Sequence, residues 1–167
     1  DYHIEAYLGL VSFDYEEGFI GPSDANDIHV EVTDMSSNEL LFSFFKTCRY
    51  LCSVEKILTD SDLNTYIVVS NTTFINKDVT YDSPISIFKF DRDGQRSWTW
   101  NSNPEENLKP DQVRVDKTGA VLLVAEIESS VNRLIKIDSE GQRIWEHDLG
   151  KLNTIAGIDK YNNTYLR

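Results

Sequence analysis

"FKFDRDGQRSW" (88–98) returns as "IKIDSEGQRIW" (135–145), 47 residues further along the chain. Each copy is an apolar run that ends at an aspartate, followed by a polar turn and a run that carries tryptophan. Aspartate in a tight turn accepts hydrogen bonds from backbone N–H groups two residues on, and Asp91 and Asp138 are placed to do so. The two stretches therefore predict two equivalent β-hairpins.

Glycine and tryptophan complete the repeated pattern. Gly94 and Gly141 supply the positive φ that closing a hairpin often demands. Trp98 and Trp145 hold the same place in the repeat, so we expect them at equivalent buried positions between adjacent sheets. A ring of that kind buries about 200 Å², which at roughly 25 cal/mol per Å² contributes several kcal/mol to the docking of one sheet on the next.

Short strands also dominate the rest of the chain. Helical periodicity is scarce, and even "SSNELLFSFFKTCRYLC" (36–52) is too rich in Phe and Tyr and too poorly capped to predict a helix. The runs that predict strands are β-branched or aromatic and are bounded by Asp, Asn, Gly, Ser or Pro. They are "NTYIVVSNTTF" (64–74), "SPISIFKF" (83–90), "RSWTW" (96–100), "DQVRVD" (111–116), "GAVLLVAEIE" (119–128), "NRLIKID" (132–138) and "QRIWEHDL" (142–149).

These strands follow one another in a recurring order of four. A strand ends at an Asp, a tight polar turn leads to an apolar strand, and a polar loop leads to the hairpin with Gly and Trp. The first turn of this unit is read from Asp60, Asp116 and Asp159, and less clearly from Asp34. A period of about 40 to 50 residues with four strands per unit is typical of a propeller, because one such sheet cannot bury both of its faces alone.

The two hairpins also carry a resemblance to a known repeat family. The chain resembles the bacterial and quinoprotein-like β-propeller repeats, whose units run through a strand, an Asp-x-x-Gly turn and a docking tryptophan. The resemblance implies an all-β fold of propeller-like blades, each made of four antiparallel strands. It assigns structural positions only, which are Asp91, Gly94, Trp98, Asp138, Gly141 and Trp145.

The repeat region is predicted to cover residues 51–167. Residues 1–50 lack the Gly and Trp of the motif and are either a divergent blade or a separate β element. At about 47 residues per unit the chain holds about three to four blades, whereas propellers typically have four to eight. We therefore expect an incomplete ring, with residues 155–167 completed either by a continuation of the chain or by a second copy.

Charge and hydropathy limit the classes of partner. With 28 acidic and 16 basic residues the formal charge is −12, which repels phosphate backbones, so nucleic acid is not expected as a partner. No apolar run approaches the roughly 18 to 20 residues that span a bilayer, so membrane insertion is not expected. The expected partner is protein, through self-association or as the remainder of a larger chain.

Two cysteines and two sequons indicate an extracellular protein, either secreted or at the cell surface. Cys48 and Cys52 lie four residues apart, so they form a disulfide if a turn brings them together and are otherwise two separate buried thiols. Asn71 in "NTT" and Asn162 in "NNT" are N-glycosylation acceptors.

Candidate chemistry is sparse. Asp60, Asp62 and Asn64 alternate as at the start of a calcium loop, but the later bidentate Glu and the central Gly are missing, and a solvated turn is the alternative. No other cofactor is predicted. The three histidines are far apart, and the sequence contains no nucleophile elbow, P-loop or Rossmann glycine pattern.

Repeated architecture without a catalytic constellation favours a non-catalytic role. The leading hypothesis is an extracellular β-propeller segment that acts as a structural, assembly or protein-interaction module. The alternative is part of a larger propeller enzyme or carbohydrate-binding propeller. Its site would then lie in inter-blade loops such as "NTTFINKDVTYDSP" (71–84).

Overall fold

A computed structural model describes residues 2–10, 26–34, 39–47, 52–71, 85–127, 131–150, 155–158 and 164–166. These ranges contain β-strands and one short 3-10 turn, Pro104–Glu106, so the prediction of an all-β chain is confirmed. The strands are β1 (Tyr2–Leu10), β2 (Asn26–Asp34), β3 (Glu39–Thr47), β4 (Cys52–Thr59), β5 (Thr65–Asn71), β6 (Ile85–Phe90), β7 (Arg96–Asn101), β8 (Lys109–Val115), β9 (Val121–Ile127), β10 (Val131–Ile137), β11 (Arg143–Gly150), β12 (Ile155–Ile158) and β13 (Thr164–Leu166). Within the same ranges no helix has the length and apolar character to cross a membrane.

The described strands form four antiparallel sheets. The first sheet is β1-β2-β3, the second β4-β5-β6-β7, the third β8-β9-β10-β11 and the fourth β12-β13. Strand order follows chain order in every sheet, so each sheet is a meander of hairpins. The second and third sheets are the predicted four-stranded units, whereas the described ranges as a whole do not form a closed ring.

Apolar side chains fill the space between successive sheets, which stack face to face in chain order. One cluster joins the first and second sheets, a second joins the second and third, and a third joins the third and fourth. Members of these three clusters include, respectively, Phe44 and Phe88, Ile87 and Leu123, and Val124 and Ile155. The core is therefore a series of layers rather than a single centre.

The second strand of each four-stranded sheet is buried on both faces. In β5, Ile67 and Val69 pack towards the first sheet, whereas Tyr66 and Val68 pack towards the third. The run "VLLVA" of β9 alternates in the same way between the second and fourth sheets. Side chains of a strand point alternately to the two faces, so an uninterrupted apolar run is what a strand between two sheets requires.

The register of the first sheet matches that of the later ones. Val32 pairs with Phe42 beside a bulge, as Lys89 pairs with Trp98 beside a bulge in the second sheet. Strands β2 and β3 therefore correspond to β6 and β7. Asp34 ends β2 and so stands at the second turn of the unit, which makes its interpretation as a first turn wrong.

Four described hairpin turns share one geometry. They begin at Asp60, Asp91, Asp116 and Asp138. In each, Oδ1 of the aspartate accepts the N–H groups of the second and fourth following residues at 2.8–3.1 Å. The residue three positions after each aspartate has a positive φ, and these residues are Leu63, Gly94, Gly119 and Gly141. One short side chain thus satisfies the backbone donors that a tight turn would otherwise leave unpaired.

We predict that Leu63→Gly stabilises the fold. Leu63 adopts a φ of 66° and its side chain is 41% exposed, so the substitution relieves backbone strain and removes little packing. The left-handed conformation costs a residue with a Cβ about 1–2 kcal/mol, part of which is offset by the greater flexibility of glycine in the unfolded chain. The free energy of unfolding in urea should rise by about 0.5–1 kcal/mol. Leu63→Ala, which keeps the strain, should show no such gain, and a destabilised glycine variant would contradict the prediction.

Candidate functional site

The candidate site is the junction between successive sheets, where a tryptophan of one sheet rests on a turn of the next. A Cβ added at Gly141 would lie 2.9 Å from Cδ2 of Trp98, which is closer than real Cβ contacts. Trp98 Nε1 donates to the carbonyl oxygen of Ser139 in the same turn at 2.7 Å, and Lys89 Nζ donates to that oxygen at 3.3 Å. Glycine is therefore needed at this position both for its φ of 82° and for the room it leaves to the indole.

The same junction occurs between the first and second sheets with a different aromatic residue. A Cβ added at Gly94 would collide with Cβ of Phe42, which holds in β3 the place of Trp98 in β7. The Phe42 ring also stacks on Phe90 with 5.2 Å between centroids. The first sheet thus docks on the second as the second docks on the third, although it lacks the tryptophan of the repeat.

Trp145 holds the corresponding position in the third sheet. It pairs with Lys136, as Trp98 pairs with Lys89. It packs beside His147 with 5.3 Å between ring centroids, and no described residue repeats for it the contact that Ser139 makes with Trp98. Both indoles were expected to be buried, and both are half-buried. They lie on the outer strands β7 and β11.

A buried tyrosine makes a second, polar contact between the second and third sheets. Tyr66 OH lies 2.9 Å from Asp60 Oδ2 and 3.1 Å from the carbonyl oxygen of Gly119, which belongs to the first turn of the third sheet. Lys89 Nζ is 5.5 Å from the centre of the tyrosine ring. Burial and the nearby Asp60 carboxylate raise the pKa of Tyr66 well above its ordinary value, so the hydroxyl keeps its proton as a hydrogen-bond donor.

The first-turn aspartates are held in their charged form. Burial alone would raise the pKa of Asp60, but hydrogen bonds from Asn64 and Tyr66 outweigh it and leave the pKa below its ordinary value. For Asp116 burial acts in the same direction and is outweighed by hydrogen bonds from Thr118 and Ala120, with a contribution from Lys136, whose Nζ lies 3.4 Å from Oδ2. Both carboxylates therefore serve as structural acceptors rather than as proton carriers.

A cluster of charges ties the connection between the second and third sheets to the outer strands of the third. Arg143 Nη1 lies 2.9 Å from Glu106 Oε1, and Arg133 Nε lies 2.7 Å from Asp148 Oδ1. Glu146 contacts both arginines. Glu106 in turn closes a capping box on the Pro104–Glu106 turn, so the connection is fixed at both ends. No feature of the repeat had suggested this cluster, because Arg133 and Glu106 come from elements other than β11, which carries the remaining members.

The residues predicted to bind calcium form one of the tight turns. Asp60 Oδ1 accepts the N–H groups of Asp62 and Asn64, and Oδ2 accepts from Asn64 Nδ2 at 2.8 Å and from Tyr66 OH. Asp62 is exposed. A cation would have to displace these donors, so the geometry favours the solvated-turn alternative, and calcium binding stays a prediction. Within the described part of the chain no group of three or more His, Cys, Asp or Glu residues is arranged to hold a metal ion.

The remaining predicted site residues lie mostly at the margins of the described ranges. Asn71 is half-buried at the end of β5, where it pairs with Cys52 at the start of β4. Cys52 is buried in the layer between the first and second sheets. Cys48 and Asn162 fall outside the described residues. The disulfide and both glycosylation sites therefore stay predictions.

Comparison with known proteins finds a similarity of fold but no family. No family model matches the chain. No curated protein matches it either. The structure is similar to that of a Bacteroides caccae protein of unknown function, with a TM-score of 0.51 and 9% sequence identity over 83% of this chain. The match covers 46% of that protein, so this chain spans about half of its length. At this identity the similarity concerns the fold alone.

We predict that Gly141→Ala destabilises the chain more than Gly150→Ala. Both glycines have a positive φ, but an added Cβ at Gly141 meets Trp98, whereas nothing lies within 4 Å of one at Gly150. Gly150→Ala should therefore cost only the backbone strain, about 1 kcal/mol. Gly141→Ala should cost about 1–3 kcal/mol more, as overpacking does. Urea unfolding measures both values, and equal losses would show that the turn does not depend on the indole.

We also predict that acid weakens the fold through the first-turn aspartates. The folded-state pKa values of Asp60 and Asp116 lie below their ordinary value, so the unfolded chain binds protons at a higher pH than the folded chain. The free energy of unfolding should be constant above about pH 5 and fall as the pH drops below about 4. Urea midpoints between pH 3 and 6 test this. Asp60→Asn should show a smaller fall and Asp62→Asn an unchanged one. A pH-independent midpoint in the parent chain would contradict the prediction.

Proposed function

We propose that this chain is part of a non-catalytic β-propeller that serves as a structural and assembly module, binding further protein through its stacked sheets. The observation that carries the proposal is the repeated junction, in which Phe42 packs on Gly94 and Trp98 on Gly141. The same docking geometry recurs although the aromatic residue differs. Because the same aromatic–glycine contact joins the first sheet to the second and the second to the third, further sheets can be added in the same way.

The charged groups of the described chain support a structural role. The turn aspartates accept backbone N–H groups, and Tyr66 bridges two sheets. The cluster around Arg133 and Arg143 fixes a connection. These groups, which on other folds act as acids, bases or ligands, here make contacts within the fold, and among the described residues only Asp116 Oδ2 and Arg143 Nε are buried side-chain atoms without a hydrogen-bond partner.

The propeller assignment is part of this proposal. Two four-stranded meanders, each with an inner strand buried on both faces, have the composition of blades. The first sheet, within residues 1–50, is proposed to be a divergent blade because its Phe42 docks as Trp98 does. Residues 155–158 and 164–166 supply the first two strands of a further blade.

We further propose that the protein works outside the cell. The support is compositional: a sequon at Asn71 at the end of a strand, a second at Asn162, and two cysteines four residues apart, Cys48 and Cys52. N-linked glycans and structural disulfides are typical of an oxidising, secretory environment.

Native protein from its source tests both parts of the proposal. We expect an intact mass that falls with glycosidase, a mass gain on reduction that corresponds to one disulfide, and a sedimenting species heavier than the 19.2 kDa chain. Bare asparagines and free thiols would contradict the extracellular location. A monomer of 19.2 kDa would contradict the assembly role. Substrate turnover or sugar binding by that monomer would favour the alternative of a propeller enzyme or carbohydrate-binding propeller.

A further inference from the structure

The outer half of the third sheet, strands β10 and β11, carries a tryptophan and a lysine placed like those that join the second sheet to the third. Trp145 and Lys136 pair across β10 and β11 as Trp98 and Lys89 pair across β6 and β7. In the second sheet the corresponding pair contacts a turn of the next sheet through the carbonyl oxygen of Ser139. The third sheet thus presents the aromatic and cationic groups of a junction, and no described turn of a further sheet receives them, although Lys136 contacts Asp116 of its own sheet.

The inner half of the same face is already covered. Ile155 of β12 packs with Leu122, Val124 and Leu134 of the third sheet. Strands β12 and β13 correspond to the first two strands of a four-stranded unit. The contacts to Trp98 come from the turn that joins the third and fourth strands of the third sheet, β10 and β11. Trp145 packs against the edge of the apolar cluster around Ile155, but no turn in the described part of the fourth sheet accepts from its indole N–H as Ser139 accepts from Trp98.

A buried acceptor in the turn between β8 and β9 gives independent support for a missing partner at the third sheet. Asp116 Oδ2 is buried, and no hydrogen-bond donor of the described chain satisfies it, although Lys136 Nζ lies 3.4 Å away. The corresponding oxygen of Asp60 accepts from both Asn64 and Tyr66. A buried carboxylate oxygen without a donor is costly, so this end of the face favours a ligand that brings N–H groups.

A second copy of this chain does not supply the missing turn. The glycine turns at Gly94 and Gly141 are already covered by Phe42 and Trp98. The outward face of the first sheet presents Glu31, 38% exposed, where the second sheet buries Phe88. Glu31 Oε1 lies 3.6 Å from His29 Nε2 on the same face, and burying these two polar groups against an apolar surface would remove both from water. The desolvation penalty makes the first sheet of another copy a poor partner.

We propose that the outer half of the third sheet, centred on Trp145 and Lys136, is a docking surface for a further β-hairpin closed by an Asp-x-x-Gly turn. The hairpin adds to β13 and completes a four-stranded fourth sheet. Its glycine lies on the face of Trp145, and the carbonyl oxygen after its aspartate accepts from Trp145 Nε1. This inference rests on the proposed assembly role and names the structural class of the partner.

The test supplies such a hairpin by extending the full chain after Arg167 with a second copy of residues 128–150, which contains "DSEGQ" and its flanking strands. Direct linkage gives the hairpin a high effective concentration at the surface. The readouts are the urea midpoint and the hydrogen exchange of the Trp145 Nε1–H, followed by NMR. The matched control is the same extension with valine in place of the glycine of its turn.

We expect the extension to raise the urea midpoint and to slow the exchange of the Trp145 indole N–H by about tenfold or more. The valine control and the extended Trp145→Ala variant should show neither effect beyond the unextended chain. An extension that leaves both readouts unchanged, or a valine control that matches it, overturns the inference. So does a dimer of the unextended chain that Trp145→Ala dissociates, since a second copy would then be the occupant. Failure here leaves the glycan, disulfide and native-mass measurements unaffected, so the two proposals fail separately.

Discussion

The contact between Trp98 and Gly141 is the constraint on which the rest of the structure depends. A sheet that is apolar on both faces is stable only if both faces are covered. The contact between Trp98 and Gly141 fixes how the third sheet is positioned on the second. It combines an apolar face-on contact with one hydrogen bond from Trp98 Nε1, so it sets both the separation and the sideways position of the sheets. Apolar side chains then fill the space that this contact sets between the sheets.

Turn chemistry and strand type followed from the sequence because they are local. An aspartate followed three residues later by glycine specifies one hairpin geometry, and the alternation of apolar residues specifies which strand lies between two sheets. The sequence could not indicate that Phe42 takes the place of the tryptophan or that Leu63 takes the place of the glycine. In both cases the local geometry is kept while the residue type differs from that of the repeat. The misassigned turn at Asp34 has the same origin: only the strand register shows which turn of the unit it belongs to.

The polar contacts of the candidate site were less accessible to sequence reasoning. Tyr66 and Gly119 are 53 residues apart and meet only because the sheets stack. Lys89 and Lys136 recur at the repeat spacing, a signal that was present but carries no chemistry by itself. In the cluster of Arg133, Arg143 and Glu106, Arg143 repeats Arg96, but Arg133 and Glu106 have no equivalents at the repeat spacing, so the contacts depend on the path of the connection between sheets.

The tight turns described here all lie at one end of the stack, because neighbouring strands run antiparallel and the side chains of Tyr66 and Trp98 contact turns of the next sheet. The connection from β5 to β6 covers residues 72–84, whereas its counterpart from β9 to β10 covers only 128–130. The whole difference in length therefore falls at the opposite end and leaves the docking contacts unaltered. The turns that make the contacts between sheets keep one pattern, whereas the connections between strands at the other end differ in length, as surface connections commonly do.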